Sequence, residues 1–279
     1  MAERQRRRTK YIRHAISRFI TDDSFWPSAF REVIQHFRRS GWNAFLFGGT
    51  PRGVFDKGTK YAPRDLDIVI EDRAFADFAS VYGANVQRQT RFGGLRLSFH
   101  GVHVDAWPLS HTWAFREGLV KEISFEALPR TTFLNIDGIA VELSPARGKA
   151  RRILDAGFFS AYSRRLLDIN LVENPQPILA VIRTFRLAQT LEFDISRRLA
   201  QYVAEALSSL APAEFAAIQK SHYGTLYYDV ETLGALADEV QSQLDRNETR
   251  LSIFRGRPNH QLEFWIHRRL ENEFLELTL

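Results

Sequence analysis

Between Asn43 and about Leu143 the chain alternates short apolar runs with Gly, Asp and Pro, a texture that predicts strands with a few helices between them. The strands expected are Ala44 to Phe47, Leu66 to Ile70, Leu95 to Phe99, His103 to Trp107 and Ile139 to Leu143. Asp137-Gly138, just before the last of these, reads as a hairpin turn because both residues tolerate positive φ. Arg73 to Tyr82 has the spacing of a helix. Another helix leads into the first strand: Phe30, Val33, Ile34 and Phe37 recur at helical intervals behind Pro27 and Ser28, and Gly41 stands where that helix would stop.

From about Phe158 onward the pattern is almost all helical. Periods run over Phe159 to Leu171, Ile178 to Leu191, Ile195 to Leu207, Pro212 to His222, Val230 to Leu244 and Gln261 to Leu275. Glu271, Glu273 and Glu276, interspersed with Leu270, Phe274 and Leu277, fit a last helix with one buried and one solvated face. The change of texture near Ala146 to Phe158 divides the chain into a strand-rich part, 1–150, and a helical part, 151–279. With 279 residues and 44% hydrophobic content there is enough apolar surface for two modest cores.

Composition narrows the chemistry. There are no cysteines, which excludes disulfides, thiolate metal sites and thiol nucleophiles. No apolar run approaches the roughly 20 residues of a membrane span, and the basic N-terminus has no apolar segment behind it, so a cytoplasmic protein is expected. The net charge of +5 and the pI of 9.6 lean towards polyanionic partners. Arg4, Arg6, Arg7, Arg8, Lys10 and Arg13 form a dense block that is either a solvated, partly disordered tail or a phosphate contact.

Carboxylates carry the strongest signal. In Asp65-Leu66-Asp67-Ile68-Val69-Ile70, period two puts both acids on one face of a strand and the apolar residues on the other. Neighbouring carboxylates repel, so folding gains nothing from this pair without a cation, and hard ions such as Mg²⁺ take oxygen ligands of this kind. Asp105 interrupts the apolar run His103 to Trp107, which pairs with the Leu95 to Phe99 strand across Gly101; the alternative for Asp105 is an edge strand facing water. Sixteen residues before Asp65, the apolar strand ending at Phe47 runs into Gly48-Gly49-Thr50-Pro51-Arg52-Gly53. Such a turn either frees backbone amides for a phosphate or is simply tight. His100, His103 and His111 are close in sequence, and surface positions explain them better than a zinc site. Tyr223, Tyr227 and Tyr228 suit base stacking or helix packing equally.

Gly48-Gly49-x-x-Arg52, then Asp65-x-Asp67, then an acid on a later strand, resembles the polymerase-β nucleotidyltransferase superfamily, in particular the head domain of poly(A) polymerases and CCA-adding enzymes. Ile182 to Phe193, with Arg183 and Arg186 and a Leu191-x-Phe193 close, resembles that branch's neck helix. The resemblance spans roughly Ala44 to Ile195. It implies an α+β fold, a mixed-sheet head followed by a helical domain, and template-independent transfer of a nucleoside monophosphate from an NTP or dNTP to a hydroxyl with release of pyrophosphate.

By the same resemblance Asp65, Asp67 and Asp105 would ligate two Mg²⁺ ions, or Mn²⁺. Gly48, Gly49 and Thr50 would cradle the triphosphate with Arg52 as charge partner. Arg183 and Arg186 would touch base or triphosphate, unless they are solvated or structurally paired. The implied acceptor is an RNA 3′ end, such as that of tRNA, or a short oligonucleotide. The stand-alone format also suits bacterial antiphage defence, a toxin-like or antibiotic-type enzyme acting on a protein or small molecule, or an inactive nucleotide- or RNA-binding module.

The chain departs from that branch in three places. Pro51-Arg52-Gly53 replaces Val-Arg-Asp. The ribose-reading stretch appears only as Arg130-Thr131-Thr132-Phe133-Leu134-Asn135. Gln176-Pro177-Ile178-Leu179-Ala180 stands where a Glu-Asp-x-x-Arg element would read the base, so switching between CTP and ATP is not expected.

Overall fold

The structure, a computed structural model, describes residues 2–21, 28–61, 63, 65–209 and 212–254. Two helices come first, α1 (Ala2–Thr21) and α2 (Ser28–Ser40). Alternating strands and helices follow: β1 (Ala44–Phe47), α3 (Gly49–Lys57), β2 (Asp65–Ile70), α4 (Asp72–Val81), β3 (Val86–Gln89), β4 (Leu95–Phe99), β5 (Val102–Pro108), the single turn α5 (Trp113–Arg116), β6 (Ile139–Glu142) and β7 (Ile153–Asp155). The remainder is mainly helical: α6 (Phe158–Arg164), β8 (Leu166–Leu167), α7 (Pro177–Leu191), β9 (Asp194–Ser196), α8 (Arg197–Ser209), α9 (Pro212–Tyr223), α10 (Val230–Asp245) and β10 (Arg250–Leu251).

Among the described residues the strands form a seven-stranded sheet in the order β3-β4-β5-β2-β1-β6-β7 and a small sheet in the order β10-β9-β8. The larger sheet is mixed. β2 and β5 run parallel, while the other neighbouring strands are antiparallel. One face, through Leu66, Ile68, Val104, Ala106, Leu97 and Phe99, is buried against α1, α2 and α4. Among the described residues the opposite face is roofed over β1, β6, β7 and the ends of β2 and β5, where Phe45, Val69 and Ala140 meet Leu109, Phe115 and Leu128, with Trp107 and Leu154 packed against them. A separate apolar cluster, centred on Val181, Phe185, Leu199, Val203 and Val240, organises the helical part. No described helix is long and apolar enough to cross a membrane.

Three expectations need correction. The basic N-terminal block is not a loose tail. It lies on a helix whose Ile12, Ala15, Ile16, Phe19 and Ile20 recur at helical spacing and are buried in the core of the sheet. Two of its cations act structurally: Arg8 donates to Phe159 O at 3.0 Å and Arg13 to Arg151 O at 2.8 Å. The helical period from Phe159 also breaks early. Arg165 takes φ 51° at the C-cap of α6, and Leu166–Leu167 leaves as a strand. Finally, Asp137-Gly138 is not a hairpin turn; Asn135–Asp137 is a 3₁₀ turn and Gly138 has φ −72°. Glycine is required there for proximity, because a Cβ would lie 2.5 Å from Ala156 O.

The sheet continues past residue 150, since Ile153–Asp155 pairs with β6. The expected helix Gln261 to Leu275 and its acidic face lie outside the described residues, as does Pro27. If α1 is part of the core, Ile16→Ala is expected to cost about 2–4 kcal/mol in urea unfolding; a dispensable tail would show no loss.

Candidate functional site

Parallel pairing of β2 with β5 sets Asp65 opposite His103 and Asp67 opposite Asp105. All four share one face, the open one, because directly paired residues point the same way. The alternating residues on the other face are fully buried and fix this register, since a slip by one residue would turn every acid into the core. Asp67 carries the consequence. Its pKa is pushed up to about 7, first by burial and then by repulsion from Asp65 and Asp105, with Arg183 pulling it down.

Asp105 is engaged. Arg96, its register partner on β4, donates through Nε to Oδ1 at 2.7 Å and through Nη2 to Oδ2. Arg96 is held there by a hairpin whose two turn residues, His100 and Gly101, take φ 48° and 89°. As the side chains stand, no group of three His, Asp or Glu among the described residues is placed to enclose a metal ion. The donor set nevertheless fits a hard cation. Three crowded carboxylates, one with its pKa raised well above the ordinary range, are what a divalent ion would relieve. Ligation by Asp105 would require its release from Arg96.

The Gly-Gly segment forms the other lip. Gly48 has φ 61° and ψ −112°, a backbone conformation that side chains disfavour, and donates to Ile139 O at 3.1 Å. α3 starts directly after it, and amides in a helix's first turn have no intrahelical acceptor. Thr50 turns inward: it is 1% exposed and its hydroxyl donates to Asp65 O at 3.4 Å, tying α3 to β2. Gly53 makes room for Tyr61, whose ring would lie 2.2 Å from a Cβ there. Burial, with the charges of Asp65 and Asp67, pushes the Tyr61 phenol up.

Arg52 and Arg183 converge on one acid. Asp137 accepts from Arg52 through Oδ1 and from Arg183 through Oδ2, at 2.9 Å from Nε and 2.8 Å from Nη2. The Asp137 side chain is 8% exposed and that of Arg183 is 44% exposed, so the node has an open side. It also joins the two parts of the chain, Arg52 coming from α3 and Arg183 from α7. Arg186 does not reach the same place. Its guanidinium lies 3.7 Å from the Tyr227 ring centre and 4.8 Å from that of Tyr223. Tyr228 is separately buried, with its hydroxyl donating to Gln189.

A cleft of about 330 Å³ opens between these groups. Gly48, Gly49, Asp67, Trp107 and Asp137 line it from the sheet, and Gln176, Arg183 and Tyr223 from the helices. Of the metal- and nucleotide-binding residues expected from sequence, Gly48, Gly49, Asp67 and Arg183 line the cleft, as does the stacking candidate Tyr223; Thr50, Arg52, Asp65, Asp105 and Arg186 do not. His100, His103 and His111 form no metal site among the described residues.

Asp137, Arg96 and Tyr61 were missed as site residues. Arg96 was legible, because a two-residue His100-Gly101 turn pairs it with Asp105 by counting. Tyr61 had a weak signal in Gly53, the point of departure from the related motif. Asp137 had none, because its partners are distant in sequence.

This arrangement, a mixed-sheet head with paired acids beside a glycine turn and a helical segment lining the cleft, has the fold seen in solved tRNA nucleotidyltransferases. Among solved structures the chain is similar to a tRNA nucleotidyltransferase complexed with a primer tRNA and an incoming ATP analogue, with TM-score 0.53 and 18% identity over 80% of this chain and 63% of that one. It is also similar to the Thermotoga maritima CCA-adding enzyme complexed with tRNA, with TM-score 0.52 and 16% identity over 83% and 60%. A tRNA-processing enzyme in an apo form gives TM-score 0.53 and 18% identity over 76% and 59%. At these identities the likeness is one of fold, and the chain spans about six-tenths of the length of these structures. The sequence matches no protein-family model and no curated protein.

The raised pKa of Asp67 has a signed consequence. The folded chain keeps this proton up to about pH 7, whereas the unfolded chain gives it up near 3.8. Folded protein therefore binds more protons in that window, and stability falls as pH rises through it. Asp67→Asn is expected to stabilise the protein in chelator by about 1–3 kcal/mol at pH 8 and by almost nothing below pH 4. Urea unfolding at the two pH values checks this, and an equal effect at both would contradict the assigned cause.

Proposed function

We propose that the chain is a metal-dependent, template-independent nucleotidyltransferase that moves a nucleoside monophosphate from a nucleoside triphosphate to a hydroxyl acceptor and releases pyrophosphate. The observation that carries this is the register of β2 on β5, with Asp67 beside Asp105 and Asp65 two residues away, at the edge of a cleft that also holds the Gly48-Gly49 turn. In this reading residues 1–150, together with β7, act as the catalytic head and the helical part that follows as a neck-like domain.

Asp65 and Asp67 would hold the divalent ions, with Asp105 joining once Arg96 lets go. The ions would supply charge neutralisation for the triphosphate and activation of the acceptor hydroxyl. The chain's own groups position the substrate. Backbone amides at the start of α3 would face the phosphates, with the positive end of the helix behind them. Arg183, partly exposed and oriented by Asp137, adds a cation on the facing wall. Thr50 supports the site through Asp65 and leaves phosphate contact to the amides. Gln176 and Tyr223 would border the base, so a charged base-reading pair has no counterpart here. The acceptor favoured is a nucleic-acid 3′ end, as in a tRNA or a short oligonucleotide; synthesis of an oligonucleotide signal would suit antiphage defence.

Asp65→Ala combined with Asp67→Ala is expected to abolish transfer from labelled NTPs while leaving a cooperative melting transition. Turnover by the double variant with Mg²⁺ would falsify the assignment. Resolving wild-type products on a denaturing gel, with each ribo- and deoxyribonucleotide and with cellular RNA, separates tailing, oligomer synthesis and labelling of protein.

A further inference from the structure

The acids on β2 and β5 continue sideways as a row of basic residues. Asp67 pairs in register with Asp105, Asp105 with Arg96, and Arg96 with Arg88 on the edge strand β3. Directly paired residues share a face, so this row crosses four strands on the open side of the sheet. Burial bears this out on the inner three strands: Asp67, Asp105 and Arg96 are part exposed, while Leu66, Ile68, Val104, Ala106 and Leu97 beneath them are fully buried. On β3, exposed from Gln87 to Gln89 and irregular in register between Val86 and Arg88, the side of Arg88 is set by its pairing with Arg96. Ser98 and His103 form a second row on the same face beside Asp65, and His103 Nδ1 is a buried polar atom with no hydrogen-bond partner.

The arginine pair is unfavourable for folding alone. Like charges directly opposite on neighbouring strands destabilise a sheet, and Arg88 has no carboxylate partner among the described residues. Arg96 is neutralised by Asp105, yet that acid is the one a metal would claim. Two cations in single file, about 10 Å from Arg88 to Asp105 at the usual strand spacing, suit a polyanion of regular charge. Trp107, part exposed two residues beyond Asp105 on the same face, offers a ring for stacking.

We infer that this open face is the track along which the 3′ end of a single-stranded nucleic acid reaches Asp105, with Arg88 and Arg96 contacting its phosphates. The inference rests on the nucleotidyl-transfer reading for the meaning of Asp105, and it names the acceptor as nucleic acid. Arrival of a phosphate at Arg96 would loosen its grip on Asp105, coupling acceptor binding to completion of the acid cluster. The basic block of the N-terminus lies on α1, whose apolar stripe packs against the opposite face of the sheet.

The test measures binding without catalysis. Fluorescence anisotropy of the full chain with labelled single-stranded RNA and DNA oligonucleotides, in chelator and without nucleotide, is followed across a salt series. Arg88→Glu is expected to weaken binding about tenfold and to reduce the salt slope by about one. The same change turns a repulsive cross-strand pair into an attractive one, so the variant should melt no lower than wild type. Arg7→Glu with Lys10→Glu, on α1, should leave affinity within about twofold.

The track is overturned if wild type binds neither oligonucleotide, if Arg88→Glu binds with unchanged affinity and slope, or if only the α1 variant loses binding. Comparison of the RNA and DNA arms identifies which strand it takes. Transfer to a protein or small molecule without oligonucleotide binding would sink the track and spare the proposed chemistry, whereas turnover by the Asp65 and Asp67 double variant would do the reverse.

Discussion

Carboxylate repulsion on one face of the β2–β5 pair is the constraint around which the rest of the site is arranged. The parallel register is imposed by apolar residues on the buried face, so the acids cannot move apart without unburying Leu66, Ile68, Val104 and Ala106. Their mutual repulsion must be met by something else. Asp67 meets it by holding its proton, and Asp105 by pairing with Arg96. A cation held at a site stressed in this way would remove a cost already present in the fold.

The Asp137 node answers a second problem, that of placing two arginines near the Gly48-Gly49 turn without leaving them loose. A free guanidinium on a long stem loses considerable rotamer entropy on being ordered. Pairing Arg52 and Arg183 with the two oxygens of a nearly buried carboxylate orders both in advance. Two cations against one anion leave the node net positive, and Arg183 keeps its exposed side towards the cleft. Asp137 is itself held in place because Asn135, two residues earlier, donates to Leu166 O and accepts from Asp168 N in the helical part.

Much of this was legible in the sequence. Short alternating or fully apolar runs located β1, β2, β4, β5 and β6, period two placed the acids on one face, and the 3.6-residue period located α2, α4, α7 and α10 within a residue or two. Features set by distant contacts were harder to see. Thr50 reads as a phosphate ligand because it follows the glycines, yet its hydroxyl is taken by the backbone of Asp65. Arg186 reads as a base or triphosphate contact, or as a structurally paired arginine; three residues on from Arg183 it meets Tyr223 and Tyr227, the paired alternative. α1 was hidden by its own charge: the arginines at its start drew notice from the apolar stripe that follows them. β8, β9 and β10 are only two or three residues long, too short for any period to show.

Arg186 shows how such a displacement reshapes the cleft. Its cation is absorbed by two aromatic faces, which holds the Tyr223 ring at the cleft wall. Gln176, Leu179 and Ala180 continue that wall towards Arg183, whose charge is shared with Asp137. A base lying there would meet an aromatic ring, two small apolar surfaces and neutral amides from Asn174 and Gln176. Amides donate and accept alike, whereas a carboxylate only accepts and a guanidinium only donates; the Asn174 oxygen already accepts from Gln176 N at 2.7 Å, which leaves its amino group to donate. Discrimination among bases bound there would therefore come from shape and stacking more than from charge.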